Sequence, residues 1–342
     1  MNLLSRELRA LPKAHLHLHL IGSMRQATLA DLAVREGVTL PQGLGRTDHG
    51  GRGPLGWARF DALYCAAKEL VRYPADLARL VRELAQDEAA AGSGWVEVTA
   101  NPGLYYGRFG PDEAVLELLL EAGRAATAAT GVGIGWVVSA DRRHPDRAPA
   151  LARLAARYAA QGVVGFGLAN DEQANPAAAF VHAFRIARDG GLLAVPHAGE
   201  LCGPEEVDQA VAVLGADRVG HGVRAVEDPA LLERLAAAGV HLEVCPASNV
   251  ALGVFPHAGA HPLPALLAAG CSVSLGSDDP LLFGAGLVDQ YAMARDRFGL
   301  DDRALARLAR SSVTASAAPA ERRVALLGGI DAWAADRTPV AA

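Results

Sequence analysis

Residues 14–20 read Ala-His-Leu-His-Leu-His-Leu, a strict alternation of apolar and polar side chains. A period of two belongs to a β-strand, whose successive side chains point to opposite faces. Seven further short β-rich runs follow, at 94–100 (Gly-Trp-Val-Glu-Val-Thr-Ala), 133–140, 163–169, 192–198, 217–223, 240–246 and 271–277. The segments between them carry helical period. One opens at Pro74, a proline at the first helical position, and sets Leu77, Leu80, Val81 and Leu84 on one face. Another follows Pro111-Asp112-Glu113, where acids complement the helix N-terminus, and a third opens at Asp228-Pro229 and is stopped by Gly239. Eight strands with intervening helices predict an α/β fold, a single (β/α)8 barrel of the TIM type spanning residues 1–342.

The irregular part lies between the first and second strands, residues 21–93. It contains a glycine-rich stretch, 43–56 (Gly-Leu-Gly-Arg-Thr-Asp-His-Gly-Gly-Arg-Gly-Pro-Leu-Gly), followed by Trp57, Phe60 and Tyr64. No Lys-Ser/Thr follows, so a phosphate cradle is a poor reading. A lid over the barrel mouth, its aromatics covering an apolar pocket, fits better.

Composition limits the partners. The chain has 342 residues, 51% of them hydrophobic, and a net charge of −6, so a large core is available and no basic run invites nucleic acid. The four cysteines show no C-x-x-C spacing, which argues against a thiolate metal site or a disulfide framework. No secretory signal and no membrane helix are visible, and a cytoplasmic location is expected. Oligomeric state is not legible. Of 32 basic residues only Lys13 and Lys68 are lysine, a bias of coding rather than of function.

A barrel makes a demand on its chemistry: reactive residues should lie at the C-terminal ends of the strands. The unusual polar residues fall there. The first strand carries His15, His17 and His19, alternate residues expected on one face; the fifth ends in His197, with Glu200 beyond it; the sixth carries His221; the eighth ends in Asp278-Asp279-Pro280. A single histidine at a strand end is most often a hydrogen-bonded structural residue, and His49, His144, His182, His241, His257 and His261 are read that way. Histidines and a carboxylate gathered on four strands at one rim instead suit an ion such as Zn²⁺. Three imidazoles and one carboxylate would leave a position for water, whose pKa the metal would lower from about 15.7 towards about 7. His15, about 6.6 Å further from the rim, is taken as a deeper structural residue, and His17 and His19 as ligands. Glu200, outside the strand, is free to act as a general acid.

These segments carry a resemblance. Pro12-Lys13-Ala14-His15-Leu16-His17-Leu18-His19, His197-Ala198-Gly199-Glu200, Gly220-His221-Gly222, Cys245-Pro246-Ala247-Ser248-Asn249 and Ser277-Asp278-Asp279-Pro280 resemble the adenosine deaminase family of the amidohydrolase superfamily. The resemblance implies one zinc ion per chain, held by His17, His19, His197 and Asp278. It implies that Glu200 protonates N1 of a purine, that His221 orients and stabilises the hydroxide, and that Asp279 contacts N7. Catalytic roles thus fall to Glu200, His221 and Asp278, and substrate contacts to His19, Ile21, Asn170 and Asp279. A different reaction class, amidohydrolases that cleave a cyclic amide or ester with two metals, usually bridges them by a carboxylated lysine at the end of the fourth strand; 163–169 has no lysine.

Two positions depart from the family pattern. Ile21 stands where adenosine-acting members carry an Asp for the ribose 5′-hydroxyl, and an apolar side chain cannot accept that bond. Asn170 replaces the Gly whose amide contacts N3, a minor change because its own N–H remains. The expected reaction is adenosine to inosine plus ammonia; deamination of a 5′-modified adenosine such as aminodeoxyfutalosine, or of adenine, is the alternative.

Overall fold

The computed structural model describes residues 6–44, 54–105 and 107–336. Eight strands run in sequence order, each parallel to the next: β1 (Lys13–His19), β2 (Ser93–Ala100), β3 (Gly133–Asp141), β4 (Val163–Ala169), β5 (Leu193–Ala198), β6 (Arg218–His221), β7 (His241–Val244) and β8 (Ser272–Leu275). The circle closes beyond the end of β8, where Leu18 bridges Asp278 in parallel. His19 N donates to Asp278 O at 3.0 Å and Asp278 N donates to His17 O at 3.0 Å. This is the expected (β/α)8 barrel.

The last three strands are four residues each, shorter than their apolar runs. Local chemistry ends them: Gly222 turns left-handed at φ 66°, and Pro246 brings no N–H to the ladder. β1 departs from regular alternation. Its partners on β2 run from His15↔Val96 to Leu18↔Val98, so β1 has one residue more than β2 between them. Such a bulge breaks the two-residue period. The expectation that His15, His17 and His19 share a face is thereby corrected: the His15 ring goes to Glu88 of an outer helix, while His17 and His19 gather with His197.

The outer helices start and stop where proline, acids and glycine demand. Pro74–Ala90 opens with Asp76 accepting from the amides of Arg72 and Tyr73, both at 2.9 Å. Pro229–Ala238 opens on Asp228, which accepts from Ala230 and Leu231, and ends at left-handed Gly239. Pro74–Ala90 packs on β2 and on the helix Asp112–Thr130, so it belongs to the helical ring rather than to the insertion expected over 21–93. Two further helices precede it, Gln26–Glu36 and Trp57–Glu69; most of the glycine-rich stretch lies outside the described residues.

Apolar residues fill the space between sheet and helices, while the barrel interior is polar. Arg218 of β6 reaches Glu97 of β2 and, at 2.8 Å, Glu243 of β7. Since β2 and β6 are not neighbours, this pairing crosses the interior. All three side chains are buried, and each cation and anion there has its opposite, as burial of charge requires. No described helix is long and apolar enough to cross a membrane.

Candidate active site

The C-terminal ends of the strands bring the expected polar residues together. His17 and His19 come from β1, His197 from β5, His221 from β6, and Asp278 and Asp279 from the segment after β8. Ring centroids of His17 lie 5.5 Å from His19, 4.5 Å from His197 and 4.7 Å from His221. His17, His197, His221 and Asp278 each place a donor atom within 4.8 Å of the others; His19, Asp278 and Asp279 form a second, overlapping group.

Non-glycine residues with positive φ are found, among the described residues, at Asn170 (80°), His221 (63°) and Asp278 (60°). Each follows or ends a strand at this rim. Such backbone costs of order 1–3 kcal/mol per residue and persists only where the surroundings over-determine it. For Asp278 they do. Besides the two β1 bonds that close the barrel, Ser277 N donates to His15 Nε2 at 3.0 Å, and His15 Nδ1 is held by Glu88 Oε1 at 2.9 Å. His15 is indeed a buried structural residue, and what it structures is the approach to Asp278.

The Glu200 turn is built by an anion. The carboxylate of Glu172 accepts the N–H groups of Gly199, Glu200 (3.0 Å), Leu201 (2.6 Å) and Cys202 (2.9 Å). Gly199 sits at φ 71°, and a Cβ there would come within 2.3 Å of Val207 Cγ2, so the position needs glycine. Arg142, fully buried, donates to His197 O at 2.8 Å and pairs with Glu206 at 2.6 Å, which steadies the end of β5. Behind the histidines, Glu243 Oε2 lies 3.2 Å from His17 Nδ1, somewhat off the hydrogen-bond direction. None of Glu172, Arg142, Glu243 or Asn249 had been singled out by role. Asn249 lies inside the quoted segment Cys245–Asn249, and Glu172 two residues after Asn170; Arg142 and Glu243 carry no signal in the sequence.

Electrostatics separates the acids. Burial, then the charges of Asp278 and Glu172, pushes Glu200 well above the usual carboxylate range. Burial and neighbouring Asp278 do the same to Asp279. Burial would also raise Asp278, but the close rings of His17 and His19, with His221 nearby, outweigh it and hold it well below. Burial and the other histidines push His197 far down and His221 to about 3. Burial opposes charge on His17 too, yet Asp278 and Glu243 together raise it to about 10. The site therefore sets two acids that favour the neutral form beside one that stays ionised.

The donor set can be tested against a metal. A tetrahedral Zn²⁺ with bonds of about 2.0–2.1 Å places its ligands roughly 3.3 Å apart. Here His19 Nε2 and His197 Nε2 are 3.1 Å apart, His19 Nε2 and Asp278 Oδ1 3.2 Å, and His17 Nε2 and Asp278 Oδ1 3.5 Å. His17 Nε2 is buried without a hydrogen-bond partner. The residues fit such an ion.

A cavity of about 850 Å³, open mouth included, lies over this floor. His19, His197, Glu200, His221, Asp278 and Asp279 line it, as does Asn170. Trp57, Phe60, Tyr64, Leu104 and Leu252 form an apolar wall, and Asp61, Lys68, Asn101, Asp141 and Arg143 a polar one. Phe60 stacks on Phe283 at 5.2 Å, so the helix Trp57–Glu69 is seated against the site. Ile21 is elsewhere: it is 2% exposed, packed in the core, and does not line the cavity.

Comparison with known proteins agrees with this arrangement. Residues 12–333 match the family model described as adenosine deaminase. The chain is 51% identical over 336 residues to a putative adenosine/adenine deaminase of Streptomyces coelicolor, covering 96% of this chain and 98% of the relative. Among solved structures it is similar to an adenine deaminase from Arthrobacter aurescens (TM-score 0.86, 28% identity, 94% of this chain and 99% of that one). It is also similar to an amidohydrolase from Burkholderia ambifaria with bound Zn (TM-score 0.82, 26% identity, 96% and 94%). With the barrel, the rim constellation and a match over nearly the whole chain in agreement, this protein belongs to the adenosine deaminase family, hydrolases of C–N bonds in cyclic amidines.

Proposed function

We propose that this chain is a zinc-dependent hydrolytic deaminase of 6-aminopurines, acting first on adenosine to give inosine and ammonia. The observation that carries the reading is the meeting of Glu200, a buried acid that favours its protonated form, with a cluster of imidazole and carboxylate donors in which His19–His197, His19–Asp278 and His17–Asp278 lie 3.1, 3.2 and 3.5 Å apart. Residues 1–342 act as one catalytic barrel, and the segment carrying Trp57, Phe60 and Tyr64 serves as its cover.

His17, His19, His197 and Asp278 would hold the ion. Zinc, when bound, supplies Lewis acidity that makes water nucleophilic at neutral pH. Glu200 gives its proton to N1 of the ring, which draws electrons from C6 and opens that carbon to attack. Asp279, also protonated, donates to N7, and the Asn170 amide to N3; together they fix the ring's orientation. His221 points the nucleophile at C6. Water is consumed, the C6–N bond breaks, and the amine leaves with a proton as ammonia.

The polar wall of Asp61, Lys68, Asn101 and Asp141 offers partners to a sugar, which favours a nucleoside. A second reading, adenine itself, is favoured by Ile21, whose buried side chain contacts no part of the cavity where a 5′-hydroxyl would need an acceptor, and by the names of the Streptomyces and Arthrobacter proteins. Initial rates of ammonia release by zinc-loaded protein from adenosine, 5′-deoxyadenosine, aminodeoxyfutalosine and adenine test both. Adenosine is expected to be fastest. A larger rate on adenine moves the assignment to the free base, a larger rate on aminodeoxyfutalosine moves it to 5′-modified nucleosides, and no release from any of them overturns the proposal.

A further inference from the structure

His221 belongs by distance to one of the two groups of potential metal ligands, and its ring can present either a lone pair or a proton to the cavity. A chain of hydrogen bonds anchored on a backbone amide decides which. Leu263 N lies 3.2 Å from His261 Nδ1, and an amide nitrogen can only donate, so Nδ1 of His261 must accept. Burial holds His261 down to about 4, so the ring is neutral and its one proton is on Nε2. That N–H is 3.2 Å from Asn249 Oδ1, which fixes the direction of the Asn249 amide. The amide nitrogen then has two hydrogens and two acceptors: His221 Nδ1 at 3.2 Å and Glu200 Oε1 at 3.3 Å. Water does not compete along this path, since Asn249 is 0%, His221 1% and His261 4% exposed.

We infer that His261 and Asn249 form a directional hydrogen-bond relay that keeps the proton of His221 on Nε2, so that His221 faces the cavity as a hydrogen-bond donor and not as a metal ligand. A ring nitrogen that carries a proton has no lone pair for an ion. Without His221, the overlapping donor groups leave His17, His19, His197 and Asp278 to bind, together with Asp279, which the functional reading gives to the substrate. The same relay acts on Glu200. Its Oε1 accepts from Asn249, so the acidic proton resides on Oε2, the oxygen 3.5 Å from His221 Nε2. Two donors, one on each residue, are thereby turned towards the same part of the cavity. Asn249 and His261 are positioning residues. Their kinetic effect rests on the deaminase reading above, whereas the tautomer does not.

Ring-¹⁵N NMR of zinc-loaded protein labelled at histidine reads the tautomer directly, with the His221 signals assigned by their loss in His221→Asn. The expected pattern is a bare Nδ1 and a protonated Nε2. Asn249→Asp has the same shape but replaces the donor by an acceptor; the proton should move to Nδ1, and kcat should fall about a hundredfold with KM within about threefold. His261→Phe keeps the ring packed against Phe255 and Phe298 but lacks the donor, and should lower kcat about tenfold. His261→Gln restores an N–H near the Nε2 position and should stay within about threefold of the wild type. A wild-type His221 protonated on Nδ1 overturns the relay. So does Asn249→Asp with unchanged tautomer and kcat, or His261→Gln no better than His261→Phe. Should Asn249→Asp not fold, the His261 pair still decides. An Nε2–H tautomer in a protein that deaminates no 6-aminopurine leaves the relay standing and removes the functional reading instead.

Discussion

The two ends of this barrel treat buried polarity in opposite ways. Low in the barrel, most of the described buried charges and rings have fitted partners, Arg218 Nε and Glu243 Oε1 meeting as an ion pair and the Tyr291 hydroxyl standing as an exception. The Lys13 ammonium donates to Leu8 O at 3.0 Å and Ala91 O at 2.7 Å, and His241 meets the hydroxyls of Ser272 and Ser274, each at 2.8 Å. At the rim, His17 Nε2, His197 Nδ1 and Asp279 Oδ1 are buried without a hydrogen bond, and Asn170, His221 and Asp278 hold strained backbone. An unpaired buried polar group costs about 1–3 kcal/mol. The lower end repays such costs internally; the rim leaves them to be repaid by something bound. That contrast locates the chemistry without any reference to relatives.

The largest expected effect comes from removing what the rim would bind. Dialysis against a chelator should abolish ammonia release, and added Zn²⁺ should restore it and raise the melting temperature, since an ion held only by the folded state stabilises it by mass action. A chelated protein of unchanged activity and melting temperature would erase the distinction between the two ends. Next in size is Glu200→Gln, which keeps an acceptor for Asn249 but has no acidic proton. A fall in kcat of about 10³-fold is expected, with the fold intact by circular dichroism. Unaltered turnover would mean that another group protonates the ring.

A third prediction tests how the interior supports the rim. Glu243→Gln weakens the contact behind His17 while Arg218 keeps Glu97; zinc affinity, read by chelator competition, should drop about tenfold. No drop would show that the polar interior and the rim are independent. The smallest effect concerns the lower end alone. Burial lowers His241 to about 3, whereas the unfolded chain titrates near 6.5. Between those values the unfolded state binds the extra proton, so stability is complete above about pH 6.5 and declines on acidification at up to about 1.4 kcal/mol per pH unit. Urea midpoints should fall from pH 7 to pH 4.5 more steeply in the wild type than in His241→Asn, and parallel curves would refute the assignment.

Legibility follows the range of the interactions involved. Strand positions could be read because alternation and apolar runs are local, and helix starts at Pro74 and Asp228 because proline geometry and side-chain caps act within a few residues. The bulge in β1 could not, because it is defined only by comparison with β2, some eighty residues away, and it overturned the common face assigned to three alternate histidines. His261 shows the same limit. As a lone histidine it reads as structural, and only its approach to Asn249 reveals a tie to the site. Ile21 was read as a substrate position, yet packing placed it in the core.

From the sequence by itself came the barrel, the rim as the place of chemistry, and the residue types gathered there, since hydrophobic period and turn chemistry are written residue by residue. Tertiary structure alone decided which histidines converge, which acids favour the neutral form, and which way each hydrogen bond points. Those depend on burial and on charges brought together from strands far apart in the chain, and both exist only once the barrel has closed.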